Sequence, residues 1–159
     1  MIMDERLEFA DAVSVAAAAG TSLIGDVIDL SSIGRDIGSG QEVFLVITVD
    51  TEIITGGAAG TIKFQLVSDA QAAIATDGTA TVHMDTGTLV TDDAAANSAK
   101  LNAGSILFYG TLPGEGNVYE RFLGILAVIA TTEVTAGKIN AFLTLDPPRS
   151  GRIYAEGAN

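Results

Sequence analysis

The residues with most to offer chemistry lie in the stretch "LFYGTLPGEGNVYERFLGILAVIA". Gly114-Glu115-Gly116-Asn117-Val118-Tyr119 is the first half of a dinucleotide fingerprint, set between two apolar runs. That fingerprint needs a third glycine and a helix directly after it. The glycines let backbone amides approach a pyrophosphate, and the helix N-terminus then stabilises the anion. Here Tyr119 stands where the third glycine belongs, and Glu115 would put a carboxylate inside the anion cradle. The residues after Tyr119 are rich in β-branched side chains and include Gly124, a composition that reads as strand. The stretch is therefore read as a strand connector, and no cofactor is expected.

The remaining candidates are weaker. His83 is the sole histidine, and no Gly-x-Ser-x-Gly elbow accompanies it. Gly38-Ser39-Gly40 reads as a turn. Asp26 with Asp29, and Asp92 with Asp93, lack the ligand spacing of a calcium loop. Acid pairs for glycoside cleavage arise by chance in any sandwich with twenty carboxylates. There is no cysteine, which excludes disulfides, thiolate nucleophiles and cysteine-based metal sites. Catalytic and metal-ligating residues are thus both expected to be none, and the chain is not expected to be an enzyme. What remains is surface. Tyr109, Tyr119 and Arg121 flank the Gly114–Asn117 loop and belong to residue types enriched at interface hot spots. Leu7 and Phe9 sit in a charged N-terminal segment, either an edge strand or an arm onto a neighbour. For each of these five, packing within its own domain is an equal alternative.

The elements that must position these residues are β-strands. The chain has 159 residues, enough for one compact domain, and 48% of them are hydrophobic, so a substantial core is expected. "GTIKFQLVS" alternates, with Ile62, Phe64 and Leu66 on one face and Lys63 and Gln65 on the other. "EVFLVITV" is too apolar to have a single buried face. "TATVHM", "SILFYG", "RFLGILAVIA" and "KINAFLTLD" complete the series, separated by glycine-rich turns. One segment breaks the pattern. "SDAQAAIA" fits a capping box from Ser68 to Gln71, which predicts a short helical segment near 68–76. "TDDAAANSAK" is expected as a loop or short helical turn. The fold class expected is an all-β sandwich or barrel over residues 1–159, with an extended N-terminal segment (about 1–12) and a loosely packed tail (about 147–159).

Charge narrows the partners. The formal net charge is -12, with only eight Lys and Arg. That balance disfavours nucleic acid and anionic membrane surfaces alike. No apolar run approaches the ~20 residues that a membrane-spanning helix requires. The acidic N-terminus does not read as a secretory signal.

The segments "MIMDERLEFADA", "FLVITVDT", "GTIKFQLVSDAQAAIATDGTATVH", "LFYGTLPGEGNVYERFLGI" and "TAGKINAFLTLD" together resemble the capsid cement (decoration) protein family of short-tailed phages, of the type found in a Bordetella phage. The likeness is smallest in "TDDAAANSAK" and in the tail "PRSGRIYAEGAN". It implies a jelly-roll β-sandwich that binds the outer surface of a capsid and clamps neighbouring major capsid subunits non-covalently, without enzymatic activity or cofactor. The partners expected are the phage major capsid protein and further copies of the chain, a dimer ahead of a trimer. Synthesis is expected in the host bacterial cytoplasm. Two alternatives remain: a non-enzymatic sandwich that recognises glycan or a host surface, and a hydrolase built around His83 or a carboxylate pair.

Overall fold

Alternation in the sequence becomes two sheets in the computed structural model, which describes residues 5–31, 42–92, 97–113 and 118–146. The expected C-terminal tail, the Gly114–Asn117 loop and Asp93 lie outside the described residues. The strands are β1 (Glu8–Ser14), β2 (Gly20–Asp29), β3 (Phe44–Thr55), β4 (Gly60–Asp69), β5 (Thr81–Asp85), β6 (Leu89–Thr91), β7 (Ile106–Thr111), β8 (Phe122–Ala130) and β9 (Val134–Thr144). Sheet A has the order β1-β9-β3-β7, and sheet B the order β2-β8-β4-β5, with β6 also on β4. All pairings are antiparallel.

β5 and β6 together make one interrupted strand on the free side of β4. β5 pairs with its Gln65–Ser68 end and β6 with its Gly60–Ile62 end. Thr86 holds the break: its N–H donates to the Phe64 carbonyl, and its hydroxyl accepts the Phe64 N–H. Counted this way, eight strands take the jelly-roll order, crossing between the sheets at every connection except the one from β4 to β5.

The core lies between the sheets. Ile62, Phe64 and Leu66 of β4 face Ile139, Ala141 and Leu143 of β9 across the sandwich, all in one buried cluster with Phe9 and Ile125. Leu101, in the 3-10 turn Ala99–Leu101, is fully buried and closes one end. β3 is buried on both faces, as its composition demands. Leu45, Ile47 and Val49 join the core, while Val46 points to the outer face and is also fully buried.

Two findings differ from the sequence reading, and one decides between two alternatives it left open. Residues 68–76 contain no helix. Ser68 and Asp69 end β4, and the Asp69 carboxylate accepts the N–H groups of Gln71 and Ala75. Tertiary packing outweighs the capping-box pattern here, because the loop lays Ile74 and Ala80 over Val67 and Leu126 on the outer face of sheet B. The N-terminal segment is not an arm from Glu8 onward, since β1 is the edge strand of its own sheet. Finally, β2 and β6 went unrecognised, because β2 contains Gly25 and Asp26 and β6 has only three residues.

Gly25 marks where the two sheet edges close on one another. It sits at the irregularity in β2 between Ile24 and Ile28, with φ +65. A Cβ there would overlap the Phe9 carbonyl of β1. Gly78 also has positive φ, but open space around it. Gly78→Ala should therefore cost about 1–2 kcal/mol from backbone conformation alone. Gly25→Ala should cost a further ~1–3 kcal/mol for displaced backbone. Denaturant unfolding of the two variants checks this, and equal losses would contradict the close approach.

Candidate interaction surface

The segment before β8 is fastened to sheet B at several points, and His83 is central to them. His83 lies on β5 and stacks on Tyr119, with ring centroids 3.9 Å apart and planes 17° from parallel. Its Nε2 is 2.7 Å from the Ser68 hydroxyl on β4. The same hydroxyl accepts the Glu120 N–H at 3.0 Å. The Thr81 hydroxyl donates to the Glu120 carboxylate at 2.9 Å, and the Tyr119 hydroxyl donates to the Pro113 carbonyl at 3.0 Å. Burial pushes the His83 pKa down, opposed in part by the Glu120 charge. A neutral ring protonated on Nδ1 lets Nε2 accept from Ser68, completing the set.

Ser68, His83 and Glu120 therefore bring a hydroxyl, an imidazole and a carboxylate together. Ser68, however, is fully buried, and its oxygen is engaged by a backbone N–H. The arrangement ties the 118–121 segment to β4 and β5. The pairing was invisible in the sequence, because it depends on the register that sets Ser68 opposite Thr81.

Arg121 is the second fastening. Its Nε and Nη2 donate to the two carboxylate oxygens of Asp29, at 3.0 and 2.8 Å. Asp29 and Phe122 are the terminal register pair of β2 and β8, and the guanidinium lies 4.7 Å above the Phe122 ring. The hydrogen bonds from Arg121, with those from Ser31, hold the Asp29 carboxyl far below the usual carboxylate range.

The five expected contact residues thus fall in different places. Tyr109 is exposed on β7, stacked on Phe44 with centroids 5.9 Å apart. Tyr119 is half-buried against His83, and Arg121 is exposed but occupied by Asp29. Leu7 packs partly buried against the core. Phe9 is 0% exposed, so it offers a partner no side-chain surface. It is a core residue because β1 carries an irregularity between Glu8 and Ala10, which turns Phe9 inward.

Two further surfaces complete the geometry. Glu8, Asp11 and Asp26 line a shallow groove with Phe9 at the β1–β2 end of the sandwich. Among the described residues, no group of three or more His, Asp or Glu is placed to hold a metal ion. On the outer face of sheet A, Phe142, Val46 and Tyr109 form one continuous row across β9, β3 and β7.

With this geometry in view, residues 9–143 match the family model described as Bbp16. No curated protein matches the chain.

The half-buried His83 makes stability depend on pH in a defined window. Its folded pKa lies below the ordinary 6.5, so the unfolded chain takes up a proton first. The folded state is therefore destabilised as pH falls below about 6.5, and unaffected by this group above it. Wild-type protein should lose more stability between pH 7 and pH 5 than His83→Gln, measured by denaturant unfolding. Parallel losses would contradict the neutral ring held against Ser68 and Tyr119. At pH 7, Ser68→Ala should cost about 1–3 kcal/mol, because it strips a partner from both His83 and the Glu120 N–H.

Proposed function

The chain belongs to the Bbp16 family, and on that basis we propose that it is a structural protein of a phage virion, a cement on the outer capsid surface. It clamps neighbouring major capsid subunits non-covalently and performs no catalysis. The observation that carries this reading is the family match across residues 9–143, in a family whose name points to a Bordetella phage protein.

Physical features support it. Jelly rolls recur in viral capsid proteins. A chain without cysteine must hold its partners by area, backbone pairing and charge. A net charge of -12 and the carboxylate-lined groove at the β1–β2 end suit a basic patch on a shell protein. Repetition around a symmetric shell then multiplies contacts that are weak singly. Self-association belongs to the same reading, with a dimer favoured. Among the described residues no helix is long and apolar enough to cross a membrane. The excess of acids disfavours nucleic acid as a partner.

One observation favours a second reading. The exposed Tyr109, stacked on Phe44, is an aromatic platform of the kind that glycan recognition uses. A flat glycan-array profile would remove that reading.

The cement reading is tested on capsids assembled with and without the chain. Added protein should decorate the shell and raise the temperature at which it releases its genome. Because the contact is electrostatic, decoration should weaken markedly as salt rises. Absent decoration, together with equal heat resistance of the two capsids, would contradict it.

A further inference from the structure

The fastening of the 118–121 segment depends on the protonation of one ring. Ser68 lies on β4, His83 on β5, and Tyr119 and Glu120 just before β8. The register of β4 with β5 shifts between Leu66 and Val67, and His83 is the residue left without a partner there. Its ring instead meets Ser68 and Tyr119. Ser68 is fully buried, and its hydroxyl does two things at once. It donates to His83 Nε2 and accepts the Glu120 N–H.

Only a neutral ring satisfies this set. Once Nε2 carries a proton, two donors face the Ser68 oxygen, and the Ser68 hydroxyl proton loses its acceptor inside a buried side chain. The imidazolium must also shed water where it lies half-buried against Tyr119. Two forces oppose these costs. The face of Tyr119 tolerates a cation, and the Glu120 carboxylate attracts one. Desolvation outweighs the Glu120 charge, so the closed arrangement disfavours the charged ring. The other charged groups around it are engaged. The Asp69 carboxylate accepts the N–H groups of Gln71 and Ala75, Asp85 pairs with Lys63, and Arg121 pairs with Asp29.

We infer that His83 is a pH-operated latch: protonation of its ring releases Tyr119 and Glu120 from sheet B while the sandwich stays folded. The movement has a fixed end. Arg121 is held separately, by two hydrogen bonds to Asp29 and by its carbonyl, which accepts the Leu30 N–H at 2.8 Å. Those bonds keep the Asp29 carboxyl far below the usual carboxylate range, so the pair remains ionised while His83 titrates. The inner faces are untouched, because Phe64, Leu66 and Ile125 are buried in the cluster between the sheets. Tyr119 also holds the Pro113 carbonyl through its hydroxyl, so the latch controls both ends of the connection from β7 to β8. The surface at this end of the sandwich therefore differs between neutral and mildly acid solution. This inference rests on the Ser68–His83–Tyr119 geometry and is independent of the virion reading.

The test exploits the single histidine, whose ring signal can be followed by NMR in the full chain without ambiguity. As the pH is lowered from 7, the ring should titrate with a midpoint below 6.5. Over the same titration, cross-relaxation between the His83 and Tyr119 rings should vanish. Protection of the Glu120 amide against hydrogen exchange, corrected for the intrinsic rate, should fall about tenfold or more. The amides of Ile125 and Leu126, in the middle of sheet B, should stay protected throughout. His83→Gln supplies an acceptor for Ser68 that cannot titrate, and should leave Glu120 protection level over the same range. Ring contact and Glu120 protection that survive protonation of His83 would overturn the latch. So would loss of Glu120 protection only together with that of Ile125 and Leu126, or the same loss in His83→Gln.

Discussion

The contact between the two inner faces, built on Phe9, Phe64, Ile125 and Leu143, is the interaction that holds every other feature of the molecule in place. Each large side chain buried there contributes about 1.5–3 kcal/mol. Exposed ion pairs such as Lys63–Asp85 contribute little by comparison. With no disulfide to assist, this burial must offset the entropy of ordering the strands. The close approach of β1 and β2 at Gly25, the stapled break at Thr86 and the Leu101 plug all keep that contact closed.

Once the inner faces are filled, the chain still has apolar residues to cover. Sheet B uses its own loop, so Ile74 leaves the helical pattern of its local sequence to seal Leu126. On sheet A, Tyr109 and Ile106 remain exposed. The polar fastenings near the start of β8 serve a related end. Ser68, His83, Glu120 and Tyr119 join three chain segments in one hydrogen-bonded and stacked set. They fix where the connector from β7 rejoins sheet B, just before Arg121 pairs with Asp29. A hydroxyl, an imidazole and a carboxylate together hold the 118–121 segment on sheet B.

Much of the fold was legible because strand periodicity is local. Ile62, Phe64 and Leu66 against Lys63 and Gln65 reported the burial of β4 directly, and the apolar excess of "EVFLVITV" foretold the double burial of β3. The family resemblance supplied the jelly-roll order, which alternation alone leaves open. Other features were not legible because they depend on register. Phe9 looked available for a partner until the irregularity in β1 turned it inward. The capping-box pattern at Ser68 failed because its hydroxyl serves His83 and Glu120, partners 15 and 52 residues away. Arg121 read as an interface cation because nothing local places Asp29 within reach of its guanidinium.

On a virion shell, the proposed arrangement sets the acidic end of the sandwich toward basic capsid protein. A cryo-electron microscopy map of the decorated virion is its most direct test. Sandwich density is expected outside the shell, with Glu8, Asp11 and Asp26 turned toward the capsid subunits. Virions that lack this density, or copies whose β1–β2 end lies bare to solvent, would contradict it.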